Sequence, residues 1–593
     1  MLNVRDFGAK GDGIVDDTAA IQTAINSGNE IYIPYGTYLI TSNLQLKSNI
    51  IISGDGILKA NADGLYVFTS GTVGIQNVQI VGITIDGGGQ VGGVVTTGKK
   101  AATGIYLTNA SSIIIDKVNI KNCGIINSAD PQIDSGFGGF GIYAWCYSGK
   151  IENIKITNCT FEKMAGGGIN SGDGIVIGGY NSDLDIIPED ILISNCTINT
   201  VGRNGISLAG DSGTSLSRNI RVVNTYVSYT QLAGIDVEDG SDIIISDCQF
   251  YYCGKGDFTY YYNYPSSMPV TYALRSAIAT FSLSNNISVA DTIITYCNMG
   301  INYGAMLNKI MNVFISDSDT TDITQGLANA GDLLISDCQF LSNIDMLNYY
   351  SPLVNNVKIS NSIFVGSVVL NQISSGVFLN CTFKNGIIFG PSVSSNITWD
   401  DCDFVGTGTG IGIKISTTSD NLAIKNGIVS HCRFTNLDTG ILVNYNDIVG
   451  WIIEGNIFAN MVSYGIKLNN AGALFPVKSI SDNKFINESL SSGTAISIAE
   501  SPERLNVSAN YFEYITNCIS IIGIVSGRDL LDTTINNNVA FNCTNGLSIT
   551  QDSGSPGSWD RCIVTLNNFH GCSGNKMVLL SGNTNGFVSD NIL

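Results

Sequence analysis

The stretch that decides the fold runs from Arg203 to Phe250 and reads RNGISLAGDSGTSLSRNIRVVNTYVSYTQLAGIDVEDGSDIIISDCQF. In it a glycine-led strand alternates with an aliphatic run, at residues 205–208, 220–227, 234–238 and 243–250. Successive side chains of a strand point to opposite faces, so Ile235 and Val237 share one face. Asp236 and Glu238 then share the other. This pattern predicts a coil wall that is apolar inside and carries two carboxylates outside.

The same two phrases recur along nearly the whole chain. In the later part the aliphatic runs end in an aromatic residue at a nearly constant spacing of 27 to 29 residues, at Phe458, Phe485, Phe512, Phe541 and Phe569. A period of this length is typical of repeat proteins. The period-two alternation and the excess of β-branched residues argue against helical repeats. We therefore predict an all-β fold, a single-stranded parallel β-helix.

The first residues predict a short capping helix ahead of the coils. Asp16 and Asp17 offer helix N-caps, residues 19–25 carry an apolar helical stripe, and Gly28 ends it. A helix placed here would cover the open end of the apolar bore, as terminal repeats must.

Three segments follow from these patterns. We predict an N-terminal cap at residues 1–45, a parallel β-helix at 46–593, and a tyrosine-rich insertion within it at about 254–296. The sequence after Met1 reads at once as a folded segment, so we predict no signal peptide. A longer protein trimmed at this end would give the same pattern.

Composition disfavours several classes of partner. The net charge is −20, whereas nucleic-acid binding needs Lys and Arg to release counterions. No apolar run approaches the ~20 residues of a membrane helix. The 15 cysteines mostly share one repeat position, which indicates buried, reduced thiols and folding in a reducing cytoplasm. We expect no nucleic-acid partner and no membrane insertion.

Carboxylates are the best candidates for chemistry. The two histidines, His431 and His570, fall in separate late repeats, so neither a Ser-His-Asp mechanism nor a metal site is favoured, and we predict no cofactor. Two carboxylates suffice for glycoside hydrolysis, and Asp236 and Glu238 share one outward face. A merely solvated face is the alternative, because acid-x-acid spacing also occurs elsewhere, for example from Asp401 to Asp403.

Small neighbours would leave room for a sugar beside this pair. We place Ser207 and Ala209 one coil before the pair, and Asn302 and Gly304 one coil after it.

Further site residues lie near the pair in sequence. Asp173 and Asp211 occupy turns of the two preceding coils and are candidate third carboxylates of the catalytic site. Arg203 could hold a substrate carboxylate or steady one of the acids. Aromatic side chains offer an apolar face and a polar tip to sugars, and four are predicted to bind substrate: Trp145, Tyr180, Tyr260 and Tyr262. The insertion could equally pack on a neighbouring subunit.

The N-terminal phrases carry a family resemblance. VRDFGAKGDG (4–13), DDTAAIQTAI (16–25) and IYIPYGTYLI (31–40) closely resemble the opening of the pectate-lyase-like family of right-handed β-helix proteins, which includes many phage tailspikes and some polygalacturonase-type glycosidases. Residues 234–238, GIDVE, also resemble a Gly-Ile-Asp-x-Glu strand of phage tailspikes that follows an Arg-x-Gly-Ile strand like residues 203–206. The family pattern continues with proline, where this chain has Asp239.

The resemblance implies a right-handed coil and a function. It implies a tailspike-like depolymerase that cleaves a bacterial surface polysaccharide, capsule or O-antigen, by glycoside hydrolysis. It also implies a homotrimer, carried on the virion tail, that acts at the bacterial cell surface. Two alternatives stay open: a polysaccharide lyase acting by β-elimination, and a non-catalytic receptor-binding rod.

Overall fold

The three-dimensional structure is a computed structural model. It describes residues 1–62, 64–89, 101–124, 138–164, 172–179, 186–210, 217–255, 275–281, 284–303, 307–318, 321–325, 333–346, 354–370, 373–389, 394–416, 424–444, 448–469, 477–499, 504–524, 530–551, 559–579, 583–584 and 587–593.

The chain forms two compact units, Met1–Ala330 and Gly331–Leu593. Each is built of right-handed parallel β-coils, which confirms the predicted fold class. In unit 1 every complete coil contributes one strand to each of three parallel ladders, which we number 1 to 3 in the order in which a coil visits them. Each strand pairs with its counterparts in the coils before and after it.

The strands of unit 1 are as follows. Ladder 1 consists of Leu2–Asn3, Glu30–Ile33, Ile50–Gly54, Ile75–Val81, Ala110–Asp116, Ile151–Thr157, Pro188–Ser194, Ser217–Val223, Gly240–Ser246, Asn285–Ala290 and Leu307–Met311. Ladder 2 consists of Asp12–Asp16, Thr37–Ile40, Ile57–Ala60, Thr84–Asp86, Asn119–Lys121, Thr160–Met164, Thr197–Val201, Tyr226–Thr230, Gln249–Tyr251, Ile293–Thr295 and Phe314–Ser316. Ladder 3 consists of Leu44–Gln45, Tyr66–Thr69, Thr103–Thr108, Ile142–Cys146, Ile175–Gly179, Ile206–Gly210, Ile235–Glu238, Ile278–Phe281, Met299–Tyr303 and Thr321–Gln325.

Unit 2 has the same three-ladder pattern. Its first ladder consists of Leu333–Ser336, Val354–Ser360, Ile373–Leu379, Ile397–Asp400, Ile428–Ser430, Trp451–Glu454, Val477–Ser481, Asn506–Ser508, Thr534–Asn536, Ile563–Thr565 and Phe587–Ser589. Its second has Gln339–Phe340, Ile363–Phe364, Thr382–Phe383, Asp403–Val405, Arg433–Thr435, Ile457–Ala459 and Val539–Phe541. Its third has Ile344–Met346, Val368–Leu370, Ile387–Phe389, Ile411–Ser416, Thr439–Asn444, Tyr464–Asn469, Asn545–Gln551 and Met577–Val578.

Two long strands of unit 2, Lys484–Ala499 and Tyr511–Ile524, contribute to both its second and third ladders. Two short three-stranded sheets complete it: Ser394–Ser395, Ile424–Lys425 and Ile448–Val449, then Leu530–Leu531, Trp559–Asp560 and Asn583–Thr584.

Sharp corners join ladder 1 to ladder 2. A residue with left-handed backbone, usually Asn or Asp, makes the turn, and a small residue then points inward, as at Asn158 and Cys159. Asn and Asp are the residues that best tolerate this conformation. All 15 cysteines are buried and free, as predicted. Burial raises the pKa of the Cys248 thiol to about 12, so such thiols behave as small apolar groups.

The cap has the predicted helix, but the Asp17 side chain does not cap it. A 3₁₀ turn at Val4–Phe7 and the helix Thr18–Ser27 precede the first complete coil, and Ile21 and Ile25 are buried. Asp17 occupies the N-cap position but caps no helical amide. Its carboxylate accepts the backbone amide of Gly11 at 3.0 Å, while Asp16 accepts the amide of Thr18 at 3.0 Å. Asp17 therefore fixes the preceding loop instead.

One of the predicted late aromatics faces outward. Phe458, Phe485 and Phe512 stack inside the bore with ring centroids 4.7 and 5.2 Å apart. In the next coil Ala540 pairs with Phe512, and Phe541 is 52% exposed. A shift of one residue moves a side chain to the opposite face of a strand, so the regular spacing alone does not determine which face a ring takes.

The segment 254–296 contains coil as well as loop. Ile278–Phe281, Asn285–Ala290 and Ile293–Thr295 are strands of the three ladders, and residues 256–274 lie outside the described residues.

In the described part of the chain, no helix has the length and apolar character needed to cross a membrane.

Candidate functional site

The acidic pair lies on the outer face of ladder 3 in unit 1. Ile235 and Val237 are fully buried in the bore, as predicted. Asp236 is also only 4% exposed, and Glu238 is half-buried. The outer face is therefore shielded here, and the two carboxyl groups do not form an ordinary solvated surface.

A glycine begins each of these strands because neighbouring coils approach closely. A Cβ added at Gly234 would lie 2.5 Å from the Ala277 carbonyl oxygen and 2.7 Å from the ring of Phe250. The glycine-led phrase of the sequence is thus a packing requirement. The missing side chain lets the strand that carries Asp236 pack closely against the next coil.

The register corrects the predicted neighbours of the pair. Ser207 does lie opposite Asp236 in the preceding coil. In the following coil, however, Asp236 faces Ala279, and Asn302 lies one coil further on, opposite Ala279. The sequence prediction omitted this coil, because Ile278–Phe281 lies in the segment predicted to be an insertion. Gly304 lies outside the described residues.

Asp173 is the centre of a buried ion pair beside the acids. It is fully buried, and the Arg203 Nε donates to its Oδ1 at 2.8 Å. The backbone amide of Asn204 donates to the same oxygen at 3.0 Å, and the Ser207 hydroxyl donates to Oδ2 at 2.9 Å. Arg203 also donates to Ser207 at 3.2 Å. A buried charge is tolerated only when it is paired and hydrogen-bonded in this way.

Asn204 links this ion pair to Asp236. Its Nδ2 donates to the Ser207 hydroxyl and to Asp236 Oδ2, both at 3.0 Å, and its Oδ1 accepts the amide of Ala233 at 2.9 Å. The other oxygen, Asp236 Oδ1, is buried and has no hydrogen-bond partner among the described residues. Asp236 is thus held in place through one oxygen, and its other oxygen is buried without a hydrogen bond among the described residues.

Burial and neighbouring charge shift the ionisation of the pair. Burial, and then the charge of Glu238, raise the pKa of Asp236 well above its usual range, although Arg203 opposes the shift. Burial also raises the pKa of Glu238, opposed by Arg203 and helped by Asp239 and Asp173. Burial alone would lower the pKa of Arg203, but Asp173 and Asp236 outweigh it and raise that pKa. The arrangement favours a carboxyl group that keeps its proton next to a fixed cation.

Trp145 lies on the same outer face as the acids. It sits opposite Gly178, which in turn sits opposite Ala209 on the strand just before that of Glu238. Trp145 therefore lies three strand spacings of ~4.8 Å, or roughly 14 Å, from Glu238. Its ring stacks on Tyr143 at 5.4 Å, and Tyr143 stacks on Tyr106, also at 5.4 Å.

The remaining predicted site residues fall outside the part of the chain that the structure describes. These are Asp211, Tyr180, Tyr260 and Tyr262. The described set is therefore Asp173, Arg203, Asp236 and Glu238, which the fold brings together, and Trp145, which it places on the same face at a distance.

The sequence prediction missed Asn204 and the stacked tyrosines. Tyr106 and Tyr143 each follow a Gly-Ile pair, so the alternation that placed Asp236 outside could have placed them there too. Asn204 gave no such signal, because its partners Asp173 and Asp236 lie in the coils on either side. Among the described residues, no group of acidic, histidine or cysteine side chains is clustered as a metal ion requires.

Fold and site together define a parallel β-helix protein with a buried acidic centre on its outer wall. Residues 1–257, which contain this centre, match the family model described as rhamnogalacturonase A/epimerase, pectate lyase-like. Residues 1–257 are thus similar to the pectate lyase-like family, which confirms the resemblance of the N-terminal motifs.

Curated relatives include phage appendages and alginate-modifying enzymes. The pre-neck appendage protein of Bacillus phage phi29 is 27% identical over 266 residues, which cover 41% of this chain and 25% of the relative. The mannuronan C5-epimerase AlgE5 of Azotobacter vinelandii is 45% identical over 67 residues, 9% of this chain and 7% of the relative. The match thus spans about a quarter of the phage relative.

A solved structure with a similar fold is PfbA, a surface adhesin of Streptococcus pneumoniae. It is 18% identical, with a TM-score of 0.44, and the match covers 67% of this chain and 92% of PfbA.

Proposed function

We propose that this protein is a phage depolymerase that binds a bacterial surface polysaccharide, capsule or O-antigen, and hydrolyses its glycosidic bonds. The observation that carries the proposal is the buried Asp236, whose pKa is raised next to Glu238 and the Arg203–Asp173 ion pair. Glycoside hydrolysis requires one carboxyl group that holds a proton at neutral pH and a second that is ionised. The match to a pectate lyase-like family model supports a polysaccharide substrate.

Each residue has a role in this proposal. Asp236 donates a proton to the leaving glycosidic oxygen, because burial and the charge of Glu238 raise its pKa. The more exposed Glu238 serves as the carboxylate that activates water or attacks the sugar. Asn204 orients Asp236, and Asp173 holds the Arg203 guanidinium in place. Asp211 remains a candidate third carboxylate, and Trp145, Tyr180, Tyr260 and Tyr262 remain candidate sugar contacts.

The phage relatives support a place on the virion. Three phage pre-neck appendage proteins align with about two fifths of this chain. On that basis we propose that the protein is carried on the phage particle, acts at the bacterial surface and assembles as a homotrimer.

Polysaccharide β-elimination is the second candidate. Relatives named as an alginate lyase and as mannuronan epimerases share 45% identity with this chain over short segments. Arg203 supplies a fixed cation beside the acids, and such a cation could neutralise a uronate carboxylate. The raised pKa of Asp236 favours hydrolysis instead, because that reaction needs a carboxyl group that can donate a proton to the leaving oxygen.

The nature of the product decides between these reactions. The full chain is incubated with purified capsular polysaccharides, O-antigens and alginate, and the products are assayed for new reducing ends and for the ultraviolet absorbance of unsaturated uronates. Hydrolysis gives reducing ends without that absorbance, whereas elimination gives both. Binding without either product would identify a non-catalytic receptor-binding protein and would overturn the proposal.

A further inference from the structure

Three tyrosines occupy the same corner position in consecutive coils of unit 1. Tyr229, Tyr252 and Tyr296 each follow the inward-facing residues of ladder 2 and have left-handed backbone, with φ of 53°, 57° and 54°. We call these three residues the tyrosine row. The register of ladder 2 places Tyr226, Gln249 and Ile293 opposite one another, three residues before each member of the row.

Tyrosine is an unusual choice at this position. Most of the described non-glycine residues with left-handed backbone are Asn or Asp, and a bulky side chain is disfavoured in that conformation. Elsewhere among them the structure places a tyrosine only at Tyr514, in unit 2. The unfavourable backbone conformation recurs in three successive coils, which indicates that the contacts of the rings compensate for its energy. Such strain is often found at functional sites.

The rings are presented differently from those near Trp145. Tyr251 lies beside the row and meets Tyr229 and Tyr296 edge-on, at 5.6 and 5.7 Å. Tyr229 and Tyr252 are tilted by 38° at 5.3 Å. These contacts are edge-to-face or tilted, whereas Tyr66, Tyr106, Tyr143 and Trp145 form a face-to-face stack. Tyr296 is 49% exposed.

The row runs beside the acidic site, coil by coil. Tyr229 belongs to the same coil as Asp236, and Tyr252 and Tyr296 belong to the next two coils. In those two coils the positions that correspond to Asp236 are Ala279 and Asn302. The tyrosine row and the column of positions that begins at Asp236 therefore run side by side, with ~4.8 Å between successive coils. Five residues separate Tyr229 from Ile235, so the row lies at the edge of the wall that carries the acids.

We propose that the tyrosine row is a polysaccharide-binding surface on which sugar rings stack, so that the polymer runs along the coils past Asp236. Naming the ligand as a polysaccharide rests on the proposed function. Tyrosine suits this ligand because its ring offers an apolar face and its hydroxyl a polar tip. The Nζ of Lys255 lies 5.2 Å from the Tyr252 ring centroid and helps to orient that ring.

The test replaces the rings without disturbing the corners. Tyr252→Asn and Tyr296→Asn introduce a residue that this fold uses at left-handed positions, and Tyr514→Asn is the matched control in unit 2. Binding is measured by affinity electrophoresis against capsular polysaccharides, O-antigens and alginate, with the Asp236→Asn substitution in every protein to prevent turnover. Each row variant should bind roughly 3- to 10-fold more weakly, as expected for the loss of one aromatic contact. The control should bind normally.

Turnover separates this inference from the proposed function. With Asp236 intact, the row variants should raise KM for the polysaccharide that binds and leave kcat nearly unchanged. If the protein cleaves no substrate but the row variants still lose binding, the tyrosine row would be supported as a binding surface and the proposed hydrolase activity would be overturned. Unchanged affinity and KM in both variants would overturn the row, as would failure of the parent protein to bind any probe. A change only in the oligomeric state, seen by light scattering, would assign the row to a contact between copies.

Discussion

Asp236 combines burial with a single ordering hydrogen bond, and this determines how it should respond to substitution. Asn204 donates to Asp236 Oδ2, and this bond favours the ionised form. Removing the donor should therefore raise the pKa of Asp236 further. The group would stay protonated to a higher pH but would lose its fixed orientation.

The Asn204→Ala variant tests this role. We expect kcat to fall about 10-fold and the alkaline limb of the pH–rate profile to move to higher pH. Asn224→Ala is the control, because the Asn224 side chain donates to the corner residue Asn195 at 2.6 Å and lies away from the acids. An alkaline limb that stays in place, or moves to lower pH, would contradict the role of Asn204.

The raised pKa of Asp236 also predicts a pH-dependent stability. A carboxyl group whose folded-state pKa lies above its unfolded-state value stabilises the fold at low pH, and that contribution is lost as pH rises through the folded-state pKa. Asp236→Asn should therefore have a higher Tm than the parent protein at about pH 8, and this gain should shrink towards about pH 4, near the unfolded-state pKa. Thermal unfolding at several pH values measures it, and an equal Tm difference at both ends would contradict it.

At the level of the strand, the glycine-led phrase is a steric requirement. Gly234→Ala would place a methyl group 2.5 Å from the Ala277 carbonyl oxygen. We expect a loss of about 2 kcal/mol in the free energy of unfolding. Gly376→Ala is the control, because the nearest atom to its added Cβ is 3.4 Å away. Urea titration compares the two, and equal stability would show that the coils can separate at no cost.

The strands were predictable where the repeat is regular. Alternation placed Ile235 and Val237 inside and Asp236 on the opposite face, because one strand determines that pattern locally. It failed at Ile278–Phe281, where a long interruption of the repeat hid a coil. The regular spacing also gave no indication that Phe541 faces outward, because a one-residue shift reverses the face. Alternation also could not find Asn204, because its hydrogen bonds join residues about 30 positions apart.

Across the whole molecule, the assembly remains a prediction. The outer faces of unit 1 expose apolar side chains such as Ile244 and Ile293, at 37% and 45%, while only 13% of all residues are charged. Because such faces carry few charges that must lose water on contact, association of copies along them is favoured, and the resemblance to phage tailspikes implies three copies. We expect light scattering at micromolar concentration to give the mass of three chains, and a stable monomer would contradict the homotrimer.

The central claim is that Asp236 and Glu238 carry out hydrolysis, and the turnover of their amide variants tests it most directly. Asp236→Asn and Glu238→Gln keep the shape of each side chain and leave Ile235 and Val237 in the bore untouched, but they remove proton transfer. Reducing-end release from the polysaccharide that the parent protein cleaves should fall at least about 100-fold in each variant, while binding persists. Near-normal release by both variants would contradict the claim and would move the reaction to Asp173, Asp211 or a groove between subunits.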